Sequence, residues 1–232
     1  MGKNKLERFA ENAGFKNLIQ LSFEEITELG QCPLKGKWRE AFFGNGNPIV
    51  LELGCGKGEY TLGLARKYPQ KNFIGIDIKG ARLWRGCKTS NEEQMGNVAF
   101  IRTHIQMIGS YFDKDEVDEI WITFPDPQPK KPNKRLSSER FLQLYSQVLK
   151  PQGLLHLKTD SLELHEYTLN EVLIPSHREV LYHTSDLYHS DFAEDVIGIQ
   201  TFYESMYLKE GKPITYITVS YTHLTLPTNR EV

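Results

Sequence analysis

Cysteine is scarce and badly placed for chemistry. Cys32, Cys55 and Cys87 lie far apart and form no CxxC pair, which argues against a zinc site and a disulfide framework and fits a reducing cytoplasm. The seven histidines show no ligand spacing either, so no metal is expected. Long hydrophobic runs are missing. No stretch approaches the ~20 apolar residues that span a bilayer, and the start, Met1 to Leu6, lacks the apolar core of a signal peptide. A soluble cytoplasmic protein with no membrane contact is expected, as a monomer or homodimer. An excess of either charge is also absent: 28 Lys and Arg against 30 Asp and Glu give a net charge of −2. This excludes a globally basic nucleic-acid binder and leaves only local contact with RNA or DNA. There are no internal repeats, and 232 residues suit one domain plus an extension.

Within that frame, residues 1–48 read as a flexible or accessory N-terminal arm, with one short amphipathic helix near Leu6–Ala10 followed by Gly, Pro and Asn punctuation. From 49 to 221 strands alternate with helical segments, the pattern of an α/β domain with a mostly parallel sheet and helices on both faces. Seven strands are predicted: 49–53, 73–77, 98–101, 119–124, 154–158, 180–182 and 214–219. Phe141, Tyr145, Val148 and Leu149 recur at helical spacing between a Ser137 or Ser138 cap and Pro151. Leu162, Leu169, Val172 and Leu173 form a second such face. Residues 183–200 show no period and are read as a loop or insertion. Residues 222–232 add no periodic element and read as a tail, either a frayed end or a non-native segment.

The first strand runs into a glycine turn, Glu52-Leu53-Gly54-Cys55-Gly56-Lys57-Gly58. Glycines let the main chain turn sharply and let a ligand approach it closely. The spacing is GxGxG with an acid two residues ahead, not the GxGxxG that seats a dinucleotide pyrophosphate. A second acid, Asp77, ends the next strand, where a carboxylate can accept both hydroxyl protons of a ribose. One acid for a cationic amine and one for a ribose suit S-adenosyl-L-methionine better than a nicotinamide dinucleotide. The plainer reading makes both acids helix caps. Seven strands ending in a hairpin also suit the Rossmann-like sheet of class I methyltransferases, with one antiparallel strand.

The chain is organised around Phe124-Pro125-Asp126-Pro127-Gln128-Pro129-Lys130-Lys131-Pro132-Asn133-Lys134-Arg135. An apolar strand stops at the prolines, which lack the amide proton a ladder needs, and Asp126 stands at the rim where open α/β sheets bind ligands. Lys130, Lys131, Lys134 and Arg135 follow in a stiff loop. They read either as a solvated surface or as contacts to a polyanion. Cations also gather at Lys79, Arg82, Arg85 and Lys88. Trp38, Trp84 and Trp121 read as packing residues.

Taken in order, Glu52-x-Gly54-x-Gly56-x-Gly58, Pro125-Asp126-Pro127 with Lys130 and Lys131, Leu157-Lys158-Thr159-Asp160 and Thr201-Phe202-Tyr203-Glu204 resemble the tRNA (guanine-N7-)-methyltransferases over roughly residues 49–221. The resemblance implies an enzyme that moves a methyl group from S-adenosyl-L-methionine to N7 of a guanine in the tRNA variable loop, position 46. It places Glu52, Gly54, Gly56, Gly58, Asp77, His104 and Asp126 at the cofactor, with Asp126 also catalytic. Lys130, Asp160, Thr201, Phe202, Tyr203 and Glu204 would then hold the guanosine, and Lys131, Lys134 and Arg135 the tRNA phosphates. The chain departs from the family pattern at Gln128, where tryptophan is usual, and at His104, where an acid or amide is usual. Asp160 has a second reading, as cap of a helix starting at Ser161. A same-fold methyltransferase with another acceptor and a silent tRNA-binding protein remain as alternatives.

Overall fold

The computed structural model describes residues 2–191, 196 and 198–221. Eight strands are present among them: β1 (Leu18–Ile19), β2 (Ile49–Leu53), β3 (Asn72–Asp77), β4 (Val98–Arg102), β5 (Val117–Thr123), β6 (Leu149–Thr159), β7 (Glu179–Thr184) and β8 (Thr215–Tyr221). They form one sheet in the order β1-β4-β3-β2-β5-β6-β8-β7. All pairings from β1 through β6 are parallel, and β8 runs antiparallel between β6 and β7. The carboxyl ends of β2 to β6 therefore share one edge, with the strand order reversing between β2 and β5.

Side chains alternate across the sheet with period two. Leu51, Leu53, Ile74, Ile76, Ile120 and Ile122 enter one core, while Val50, Phe73 and Trp121 enter the other. Burial on both faces explains why these strands read as nearly unbroken apolar runs. The second core is closed by α3 (Glu59–Lys67) and α4 (Gly80–Glu92), through Leu62, Leu64, Leu83 and Cys87. The first is closed partly by α5 (Ile108–Tyr111) and α6 (Glu139–Tyr145). Each fully buried Leu, Ile or Phe contributes about 1.5–3 kcal/mol. The cysteines are buried and free.

Several expectations are corrected. The eighth strand, β1, was hidden by its two-residue length, and it pairs Leu18 with Phe100. The segment before residue 49 is built into the domain. Helix α1 (Gly2–Gly14) lies on α4, where the Asn12 amide donates to the Gly80 carbonyl at 2.9 Å, and α2 (Phe23–Leu29) follows β1. Trp38 is fully buried and donates to the Tyr111 carbonyl at 2.8 Å. The expected helix through Leu149 stops at Tyr145, because Leu149 starts β6 opposite Val117. In α7 (Leu162–Glu166), which continues as a π-helical turn over Tyr167–Leu173, Leu162 is exposed, while Leu164 and His165 are buried. Within the 183–200 stretch, β7 reaches Thr184 and a 3₁₀ turn spans Leu187–His189. The 222–232 tail lies outside the described residues. No helix among the described residues is long and apolar enough to cross a membrane.

Candidate active site

Two cavities open at the carboxyl edge of the sheet and meet at Gly54. The smaller, about 100 Å³, is lined by Glu52, Gly54, Gly56, Tyr60, Thr123 and Thr201 among others. The larger, about 360 Å³, runs past Gly54, Asp77, Ile78, Thr103, His104 and Gln128. Glu52 and Asp77, singled out in the sequence, thus lie in adjoining spaces.

Glu52 is buried at the end of β2. Its Oε2 accepts from the Thr61 amide at 2.8 Å and from the Thr61 hydroxyl, and its Oε1 accepts from the Thr123 hydroxyl at 2.6 Å. Burial raises its pKa to about 7, the three donors oppose that rise, and the neighbouring Asp77 charge adds to it. Neither threonine was predicted. A polar residue closing the apolar Ile120-Trp121-Ile122-Thr123 run was the available signal for Thr123. Tyr60, in the same cavity wall, has a buried hydroxyl with no partner among the described residues.

Asp77 ends β3 and shapes the turn above it: Oδ2 accepts from the Gly56 amide at 2.9 Å and Oδ1 from the Lys79 amide at 2.8 Å. Gly56 holds φ at 58°, and a β-carbon there would meet nothing within 4 Å. A side chain would occupy open space beside the cavity. A carboxylate has about four acceptor sites, and the two amides leave capacity for two further donors such as ribose hydroxyls. The residues therefore fit S-adenosyl-L-methionine: among the described residues the Tyr60 hydroxyl is unpaired and the Glu52 carboxyl has no cationic partner, and Asp77 has spare acceptor capacity. His104 is exposed on the rim of the larger cavity.

Asp126 stands exposed in the loop after β5, where its carboxylate accepts from the Gln128 amide at 3.1 Å and the Gln128 side chain at 2.8 Å. Phe124 and Gln128 take positive φ, 46° and 43°, so strained backbone brackets Pro125-Asp126-Pro127, as is common at functional sites. Gln128, the departure from the family pattern, orients the acid. Lys130, Lys131 and Lys134 are exposed.

Arg135 corrects the expectation of phosphate contact. It is only 3% exposed, donates to the Pro127 carbonyl at 2.8 Å, pairs with Glu163 and lies 4.3 Å from the Tyr167 ring centroid. It braces the loop from inside.

Glu204 is a second correction. It lies in α8 (Phe202–Lys209) with no exposed surface and pairs with Lys158 at 2.6 Å, which is equally buried. Its Oε1 also accepts from the Tyr188 hydroxyl at 2.8 Å, and with Thr201 it forms the capping box of α8. It has no free face for a guanine. Burial lowers the Lys158 pKa, and the Glu204 charge opposes the drop. Thr201 is buried at the cap, whereas Phe202 and Tyr203 are half-exposed, with Tyr203 on the small cavity. Asp160 is half-buried, and the cap of α7 is Ser161, which accepts from the Leu164 amide at 3.2 Å. The structure thus joins the four motifs. Thr123 donates to Glu52, Phe124 donates to the Lys158 carbonyl at 2.8 Å, and Lys158 pairs with Glu204.

Comparison with known proteins shows the family and the fold. The family model described as "Putative methyltransferase" matches residues 46–217. The tRNA (guanine-N(7)-)-methyltransferase of Christiangramia forsetii is 59% identical over 93% of this chain and 96% of its own. That of Bacteroides thetaiotaomicron is 48% identical over 94% and 85%. Among solved structures, the 16S rRNA methyltransferase KamB superposes with a TM-score of 0.60 at 15% identity, over 87% of this chain and 94% of that one, which supports the class I methyltransferase fold. On the model match and the identity of full-length relatives, the chain belongs to the tRNA (guanine-N(7)-)-methyltransferase family.

Proposed function

We propose that the protein methylates N7 of a guanine in the tRNA variable loop, position 46, using S-adenosyl-L-methionine, and that it works in the cytoplasm as a monomer or homodimer. The observation that carries this reading is the junction at Gly54: one cavity lined by Glu52 and one by Asp77, both bordered by the Asp126 loop, through Phe124 and Gln128. The names of the relatives point the same way.

When bound, S-adenosyl-L-methionine supplies an electrophilic methyl group on a cationic sulfur. Glu52 and the Tyr60 hydroxyl take its amino acid end, Asp77 accepts from its ribose hydroxyls, and Thr103 and His104 border its base. Guanine N7 carries a free lone pair, so no residue has to remove a proton. The work of the chain is alignment and electrostatics. Guanine offers N1–H and its 2-amino group as adjacent donors. Asp126, held by Gln128, and Asp160 are the acids left to accept from them, and an anion also favours the cationic product ring. Lys130, Lys131 and Lys134 neutralise phosphates, which positions the tRNA without reading its sequence.

The test is transfer of labelled methyl to unmodified tRNA, with the nucleoside identified by mass spectrometry and Asp126→Ala run alongside. The parent chain should yield N7-methylguanosine and the variant at least ~100-fold less, as expected when a positioning and charge-stabilising group is lost. Label in another nucleoside, or none in tRNA, refutes the reading.

A further inference from the structure

The cation cluster on α4 has no role in the site described so far. Arg82 and Arg85 are exposed, one helical turn apart. Arg82 lines the small cavity above Glu52. Arg85 and Thr89 line a separate groove of about 520 Å³ between α3, α4 and the start of α8, together with Lys57, Glu59 and Phe202. Groove and cavity share Lys57, Glu59 and Thr201, so they are continuous.

Three features of the groove point to one ligand chemistry. Its cations are in excess. Arg66 is neutralised by Glu93, through bonds of 2.8 and 2.6 Å, while Lys57 and Arg85, which have no acidic partner among the described residues, outnumber the remaining acid, Glu59, whose carboxylate accepts from the Phe202 amide at 2.9 Å. An aromatic face is offered beside them: Phe202 is 55% exposed, with the Lys57 ammonium 5.4 Å from its ring centroid. The groove also leads directly to the cavity above Glu52. A cationic track with an exposed ring is the pattern by which proteins hold single-stranded nucleic acid, charges on the phosphates and a base on the ring.

We infer that this groove holds the tRNA nucleotides flanking the target guanine, with Arg85 and Lys57 on phosphates and Phe202 stacking an unpaired base. The inference rests on the tRNA reading above. The substrate strand is then gripped on both sides of the cavity mouth, by Lys130, Lys131 and Lys134 on one wall and by α4 and α8 on the other. The target base turns inward between them.

The test uses the full chain with unmodified tRNA. Arg85→Glu and Thr89→Glu, singly and together, change surface positions that lie outside both cofactor cavities. The double variant should raise the KM for tRNA by about 10-fold or more with little change in kcat. Arg85→Ala should reduce the slope of log affinity against log salt by about 0.7–0.9, as one phosphate contact is lost. Phe202→Ala should weaken tRNA binding by about 10-fold with the salt slope unchanged, since stacking is not ionic. Cofactor affinity and melting temperature serve as controls for folding. If the parent methylates tRNA while these variants keep its KM and slope, the groove assignment is wrong and the reaction stands. If the parent neither binds nor methylates tRNA, both readings fall.

Discussion

The buried acid at the floor of the cavity should make the ligand-free enzyme less stable as pH rises. Glu52 titrates at about 7 in the folded chain against 4.5 for a free glutamic acid. With 1.36 kcal/mol per pKa unit, ionised Glu52 destabilises the fold by about 3 kcal/mol. Because the folded pKa is the higher one, the contribution to stability is intact below about pH 4.5 and is lost as pH climbs through about 7. Glu52→Gln removes the titration while keeping the shape: its carbonyl can accept from the Thr61 amide and its NH₂ can donate to the Thr123 hydroxyl, which is free to rotate. In urea titrations without cofactor, the variant should therefore gain on the parent by about 2 kcal/mol between pH 5.5 and pH 8.5. For a chain of this length that is roughly 4–8 °C in melting temperature. S-adenosyl-L-methionine at saturation should narrow the gap, because a bound cation holds the parent carboxyl ionised, and the variant should bind the cofactor more weakly. Parallel pH profiles for the two proteins would refute the argument, since no other titrating group differs between them.

Two further substitutions test how the site is held together. Lys158→Met should cost about 3–5 kcal/mol in chemical denaturation by leaving Glu204 charged, buried and unpaired, and adding Glu204→Gln should recover part of that loss; an unaffected midpoint would count against a buried pair. Gly58→Ala should cost about 2–5 kcal/mol, because φ is 73° there and the new methyl would lie 2.6 Å from buried Phe100; a melting temperature equal to the parent's would contradict the close approach.

The sheet centre was legible because its signal is local. Val50, Leu51, Phe73, Ile74, Ile120 and Ile122 form apolar runs bounded by Gly, Pro and acidic residues, and both faces of the sheet are buried. What was not legible depended on partners distant in sequence. Leu149 fits a helical period as well as it fits a strand, and only Val117, 32 residues away, decides the matter. The segment before residue 49 has weak periodicity because its anchors are single residues, with Asn12 on the Gly80 carbonyl and Trp38 on the Tyr111 carbonyl.

The site divides along the same line. Residues that face a ligand through the main chain or the end of a strand, Gly56 and Asp77 above all, declare themselves by spacing. Charged residues do not, because a charge can serve the ligand or the scaffold. Arg135 and Glu204 follow Lys134 and Tyr203 directly in the sequence, yet both turn inward. The reason lies in where their counter-charges stand. Glu163 and the Tyr167 ring wait beneath the basic loop, and Lys158 waits beneath α8. A buried charge without a partner is strongly unfavourable, so each pair fixes the place of the element that carries it. Arg135 thereby ties the Asp126 loop to α7 through the Pro127 carbonyl, and Glu204 ties the cap of α8, with Phe202 and Tyr203 on it, to the end of β6. The two charges withdrawn from the substrate hold in place the residues that remain to meet it, so neutralising either should loosen substrate binding through geometry while the salt dependence of tRNA binding stays as it was.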